Sequence, residues 1–183
     1  MHFEPGDLLF FYGSGWQSRI IELGTWGPSH VGMIIDYHSE PMLIESTTLC
    51  DLPCAIRKKY IKGVQAHIPQ DRIRTYAGEV WHCAIEERER LDNYQRDLLT
   101  KIVYKYFLGE PYDVRGAIES ARPWMRLLCP YPDMGSLFCS AFCCYLLQRL
   151  GKFNRANPKG YSPARLMRTV LKNATHKPLV RIE

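Results

Sequence analysis

The spacing of hydrophobic residues changes once along this chain, and that change limits the folds open to it. Up to about residue 85, apolar residues come in short runs separated by turn formers. Leu8-Leu9-Phe10-Phe11-Tyr12, entered through Gly6-Asp7, has the length and composition of a buried strand. Gly13-Ser14-Gly15 breaks it, residues 16–23 suit a short helix, and residues 24–28 form a second break. Residues 31–37 and 42–46 are expected to pair across His38-Ser39, with further strands at 56–68 and 79–85. Beyond residue 90 the period becomes helical. Leu91, Leu98, Leu99, Ile102, Val103, Tyr106 and Phe107 predict a helix over 91–108, ended by Gly109-Glu110-Pro111. A second is expected over 138–150 with Gly151 as its stop, and a third over 164–171, announced by Ser162-Pro163. Strands first and helices later indicate an α+β domain built on an antiparallel sheet. No repeat or linker divides the 183 residues, so a single domain over 1–183 is expected.

Several function classes drop out. The longest nearly apolar stretch, 137–147, is eleven residues, well short of the roughly 18 that a membrane-spanning helix needs. The opening Met-His-Phe-Glu-Pro-Gly-Asp lacks the basic start and apolar middle of a signal peptide, so a cytoplasmic location is expected. In that compartment most of the seven cysteines should be free thiols. Cys50-x3-Cys54 is not a usual zinc pair, and no metal or cofactor is expected. The formal charge is +5, but residues 149–183 carry nine Lys/Arg against one acid while the rest is net negative. This basic end suits contact with an anionic polymer or lipid surface, although such runs usually only solvate a face. No nucleic-acid motif accompanies it, and no nucleic-acid partner is expected.

Three residues form a candidate catalytic set: His30, Glu45 and Cys139. If the hairpin loop is His38-Ser39, Tyr37 pairs with Glu40 and paired numbers sum to 77. His30 and Glu45 sum to 75, which places them on one sheet face as diagonal neighbours. A carboxylate there can accept the imidazole N–H, fix its tautomer and stabilise its charged form. Cys139 follows a segment rich in Pro, Gly, Asp and Ser and opens an apolar helix. Free amides and the positive end of a helix dipole favour a thiolate there and can bind a developing oxyanion. Each residue alone has an ordinary explanation: a histidine near a strand usually packs, and a cysteine in an apolar helix behaves as a small hydrophobe. An unpaired buried glutamate is costly, so Glu45 needs a partner.

Taken in order, Gly6-Asp7-Leu8-Leu9-Phe10, Ser29-His30-Val31-Gly32-Met33, Leu43-Ile44-Glu45-Ser46 and Phe138-Cys139-Ser140 resemble the circularly permuted branch of the NlpC-type, papain-like superfamily, in particular its YiiX-like group. Gly109-Glu110-Pro111-Tyr112-Asp113 and Tyr161-Ser162-Pro163-Ala164-Arg165-Leu166 resemble segments that accompany this pattern. The resemblance spans about residues 5–171, and the histidine precedes the cysteine, as in the permuted branch. It implies a sheet packed against the cysteine helix, with Cys139 as nucleophile, His30 as base and Glu45 as orienting residue. Relatives in the superfamily cleave peptidoglycan peptides or transfer and hydrolyse acyl groups.

The resulting expectation is a cysteine peptidase or amidase acting on a peptide or peptidoglycan fragment. Two other readings stay open: a lipid thioesterase, phospholipase or acyltransferase on the same triad, and a non-catalytic binding module keeping the fold. Phe10, Phe11, Tyr12, Trp16 and Trp26 are candidates to line an acyl pocket, although such residues more often form core. Tyr12 and Trp26 enter the candidate substrate pocket, together with Tyr112 and Asp113, which either line it or shape a loop.

Overall fold

The computed structural model describes residues 2–13, 27–111, 138–153 and 157–182. Six strands form one antiparallel sheet: β1 (Leu8–Gly13), β2 (His30–Tyr37), β3 (Glu40–Thr47), β4 (Gly63–His67), β5 (Gly78–Cys83) and β6 (Val180–Ile182). Their spatial order is β4-β3-β2-β1-β5-β6, so the hydrophobic β1 lies inside the sheet, between β2 and β5. Among the described residues four α-helices accompany it: α1 (Pro69–Thr75), α2 (Asn93–Ile102), α3 (Cys139–Arg149) and α4 (Pro163–Lys172). The architecture is α+β, as the change of period predicts.

The β2–β3 hairpin turns through His38 and Ser39, both at positive φ (54° and 65°), the backbone of a two-residue I′-type turn. Its register pairs Tyr37 with Glu40 and Met33 with Ile44. Alternation then sorts the sheet into two faces. Leu8, Phe10, Val31, Met33 and Ile44 pack with Phe138, Phe142, Cys143 and Leu146 from the α3 region. Leu9, Phe11, Ile34, Leu43 and Val80 pack with Phe3 and, from α1 and just beyond it, Ile73 and Tyr76. Phe10 and Phe11 are thus fully buried in separate cores and line no open pocket.

Several elements differ from the sequence expectation. Only Gly63–His67 of the 56–68 run is a strand. Before it the chain folds on itself, with Cys54 bridged to Lys59 and Lys58 at φ 54°. Helix α2 begins at Asn93, where Asp92 and Gln95 form a reciprocal capping box. It passes into one wide π turn over Val103–Phe107 before Leu108 and Gly109. Helix α1 and the three-residue β6 carry no sequence expectation: both are shorter than the windows in which periodicity speaks. The expected helix at 16–23 lies outside the described residues. Helices α3 and α4 fall within a residue or so of their expected bounds, and Ser162 caps α4 by accepting from the Arg165 amide.

Candidate active site

Strand β2 begins at His30, so its ring stands at the end of the sheet, only 13% exposed, against the Phe11 ring. Glu45 pairs with Gln65 on β4 and is fully buried. The two are diagonal, and His30 Nε2 donates to Glu45 Oε2 at 2.5 Å. Gly32 makes this approach possible. A Cβ at Gly32 would meet Leu43 Cδ1 at 2.7 Å, the Ile44 carbonyl oxygen at 3.0 Å and Glu45 Cβ at 3.3 Å.

Cys139 is the first residue of α3, close enough to the His30 ring for its charge to raise that histidine's pKa. Since Nε2 serves Glu45, Nδ1 is the ring atom left for sulfur. Phe138 offers no capping side chain to the first-turn amides, which keeps donors available beside the thiol. Ser140 turns away and donates to the Tyr161 carbonyl at 2.6 Å, tying the start of α3 to the approach of α4. The expected trio is therefore brought together by one hairpin, β2–β3, and a helix distant from it in sequence.

Electrostatics separate these groups from the rest of the chain. Burial alone opposes charge on His30, but the charge of Cys139, joined by the hydrogen bond and charge of Glu45, raises its pKa to about 9. Burial would likewise raise the Glu45 carboxyl. The hydrogen bond and charge of His30, with the charges of Arg72 and His67, hold it at about 2. Cys83 and Cys144 are pushed up to about 12, chiefly by burial, and Cys143 rises well above its ordinary value for the same reason. Those thiols are inert packing groups. Cys50 is exposed, and its thiol faces the Ile61 carbonyl oxygen.

Two partners of Glu45 escape the sequence reading. Arg72, from α1, is 1% exposed and donates through Nε to Glu45 Oε1 at 2.6 Å. Its guanidinium lies over the rings of Phe11 and Tyr76. His67 Nε2 stands 3.5 Å from the same Oε1. Period-two alternation along β4 puts Gln65 and His67 on one face, a usable signal for His67. No comparable signal marks Arg72, because arginine is seldom buried and α1 is only seven residues long.

The substrate-pocket expectation is only partly addressed. Tyr12, near the end of β1, sets its ring edge-on to Trp81 and directs its hydroxyl to Met167 of α4. Trp26, Tyr112 and Asp113 lie outside the described residues. No helix among the described residues is long and apolar enough to cross a membrane.

No family model and no curated protein matches the sequence. Among solved structures the chain is similar to metalloprotein yiiX from Escherichia coli O157:H7, a DUF1105 protein. The TM-score is 0.57 at 20% identity, with 98% of this chain and 89% of that chain covered. At this identity the likeness shows the fold alone. It is a YiiX-like, permuted papain-like α+β fold, with an antiparallel sheet packed against helices that include the one opened by Cys139.

Proposed function

We propose that this chain is a cysteine hydrolase of the peptidase or amidase type, with Cys139, His30 and Glu45 as its catalytic set and a peptide or peptidoglycan fragment as substrate. One observation carries the reading: His30 is hydrogen-bonded to a buried carboxylate and stands within electrostatic reach of a thiol at a helix N-terminus. Each part has a role in acyl transfer. The charged imidazole favours the thiolate, which attacks the carbonyl carbon and forms a carbon–sulfur bond. The free first-turn amides of α3 receive the oxyanion. His30 passes its proton to the leaving amine as the C–N bond breaks, then takes one from the water that releases the acyl group. Glu45 holds the ring and its charge throughout.

The yiiX neighbour is described as a metalloprotein, so the donors here bear on whether a metal belongs in the scheme. Both Glu45 oxygens are engaged, Oε2 by His30 and Oε1 by Arg72. Cys139 and His30 would then remain as two donors, fewer than the three protein ligands of a catalytic zinc site. Among the described residues no group of three or more His, Cys, Asp or Glu side chains is placed to hold a metal ion. The described residues do not fit a metal centre, and no step is assigned to one.

The test is intact-mass analysis of the full chain incubated with acyl-amide and acyl-ester panels, with and without chelator. The expected result is a covalent acyl adduct that maps to Cys139, survives chelation and is absent from Cys139→Ala. Turnover without an adduct, lost on chelation and retained by Cys139→Ala, would overturn the reading.

A further inference from the structure

We propose that Arg72 is a positioning residue that assigns the Glu45 carboxylate to His30 rather than to His67. The inference rests on the catalytic reading above, because it concerns how that site is kept in register.

Glu45 has two histidines within reach. His30 Nε2 meets Oε2 at 2.5 Å, and His67 Nε2 lies 3.5 Å from Oε1. Both rings are largely buried, at the sheet end and on β4. A buried carboxylate flanked by two imidazoles has two ways to place one proton, and only a proton on His30 serves Cys139. Arg72 breaks the tie in two ways. Its Nε takes Oε1 at 2.6 Å, the oxygen that His67 would need for a short hydrogen bond. Its fixed positive charge also stands close to His67 and disfavours a second cation there.

The surroundings keep the guanidinium in this place. It lies over the adjoining rings of Phe11 and Tyr76, its centre 5.6 and 5.1 Å from two ring centroids that are themselves 4.9 Å apart. Its Nη1 lies 3.5 Å from Asp51 Oδ2, and Asp51 is 48% exposed, so that contact is weak beside the one to Glu45. Planar, permanently charged and stacked, the side chain can deliver Nε–H in one direction only; lysine cannot copy that.

Among the described residues, the titratable and charged groups around Glu45 are His30 from β2, Cys139 and the buried Cys143 from α3, His67 from β4, Arg72 from α1, and Asp51 behind Arg72. In the wild type, burial first, with the Arg72 and His30 charges, keeps His67 below its ordinary value against the pull of Glu45 and Asp51. Without Arg72 the carboxylate is free to turn toward His67, and His67 should gain a proton at the expense of His30.

The experiment is an NMR titration of ¹⁵N-labelled histidine rings in the full chain, for wild type, Arg72→Met, Arg72→Lys and Arg72→Met/His67→Leu. Site-resolved alkylation of Cys139 is measured in parallel. In Arg72→Met the His67 midpoint should move up and the His30 midpoint down by about one pKa unit or more, and Cys139 alkylation at pH 7 should slow severalfold. Arg72→Lys should show the same shifts, smaller. Removing the competitor in Arg72→Met/His67→Leu should return His30 and Cys139 most of the way to wild type, a rescue that a merely structural arginine would not show. Unchanged His30 and His67 midpoints in folded Arg72→Met and Arg72→Lys proteins, or no return of His30 and Cys139 toward wild type in Arg72→Met/His67→Leu, would overturn the proposal. The alkylation arm reports separately on the reading beneath it: a wild-type Cys139 no faster than a free thiol would count against the catalytic set, while the ring titrations would still decide the role of Arg72.

Discussion

Glu45 lies inside the protein with both oxygens taken, and the local chemistry is organised around it. If its function is to orient and charge-balance His30, Glu45→Gln should retain part of the activity, because an amide oxygen still accepts the imidazole N–H. Glu45→Ala should retain less. The loss should fall mainly on kcat, within the roughly 10²–10⁴-fold range typical of positioned acid–base groups. Combining Glu45→Ala with His30→Ala should add little to His30→Ala alone, since the two act as a unit. A double-mutant cycle on kcat, with Tm checked for each protein, measures this. Gly32 offers a subtler test at the same scale. Gly32→Ala presses a methyl group against the Ile44 carbonyl and Glu45, so stability should fall by about 1–3 kcal/mol, the usual range for overpacking. Activity should fall beyond that stability loss, because the crowding that starts at Leu43 and the Ile44 carbonyl reaches Glu45 Cβ as well. Denaturant melts and kcat on the same samples separate the two effects.

At the scale of elements, the β2–β3 hairpin sets the register on which the site depends. Its turn uses two non-glycine residues at positive φ, His38 and Ser39. Ser39→Gly should therefore stabilise the protein by up to about 1 kcal/mol through removal of left-handed strain, with kcat unchanged, as urea melts and a rate assay would show. The same hairpin explains why much of the site was legible in the sequence. A two-residue turn and a period of two fix side-chain parity, so the diagonal relation of His30 and Glu45 follows from counting. Cys139 was legible because a turn-rich segment ran into an apolar helix. Arg72 was not: α1 is too short to show a period, and a buried arginine defies the rule by which cores are read. The extent of β4 was overread because the apolar residues at 56 and 61 belong to a folded loop packed on the core rather than to a strand.

For the whole molecule, the buried His30–Glu45 pair links folding to pH at both ends. Glu45 sits at about 2, below its ordinary 4.5, so its contribution is complete above about pH 4.5 and is lost as pH falls toward 2. His30 sits at about 9, above its ordinary 6.5, so its contribution is complete below about pH 6.5 and is lost as pH rises through 9. Tm against pH should therefore be highest between about 4.5 and 6.5, and His30→Ala should flatten the alkaline shoulder. In the proposed reaction the same titration governs activity. The alkaline limb of kcat/KM should fall near pH 9, where the imidazolium that protonates the leaving group disappears.

The account turns on whether His30 carries its proton beside a Cys139 thiolate, and site-resolved alkylation against pH reads that pair without a substrate. The structure makes the demand severe, since Cys139 is only 3% exposed whereas Cys50 is open to solvent. With a small haloacetamide and peptide mapping, wild-type Cys139 should be alkylated ahead of the exposed Cys50 at about pH 6–8, below the His30 pKa of about 9. His30→Ala should abolish that lead, slowing Cys139 about ten- to a hundredfold at pH 7. A wild-type Cys139 no faster than Cys50, or a rate that is the same with and without His30, would contradict the account.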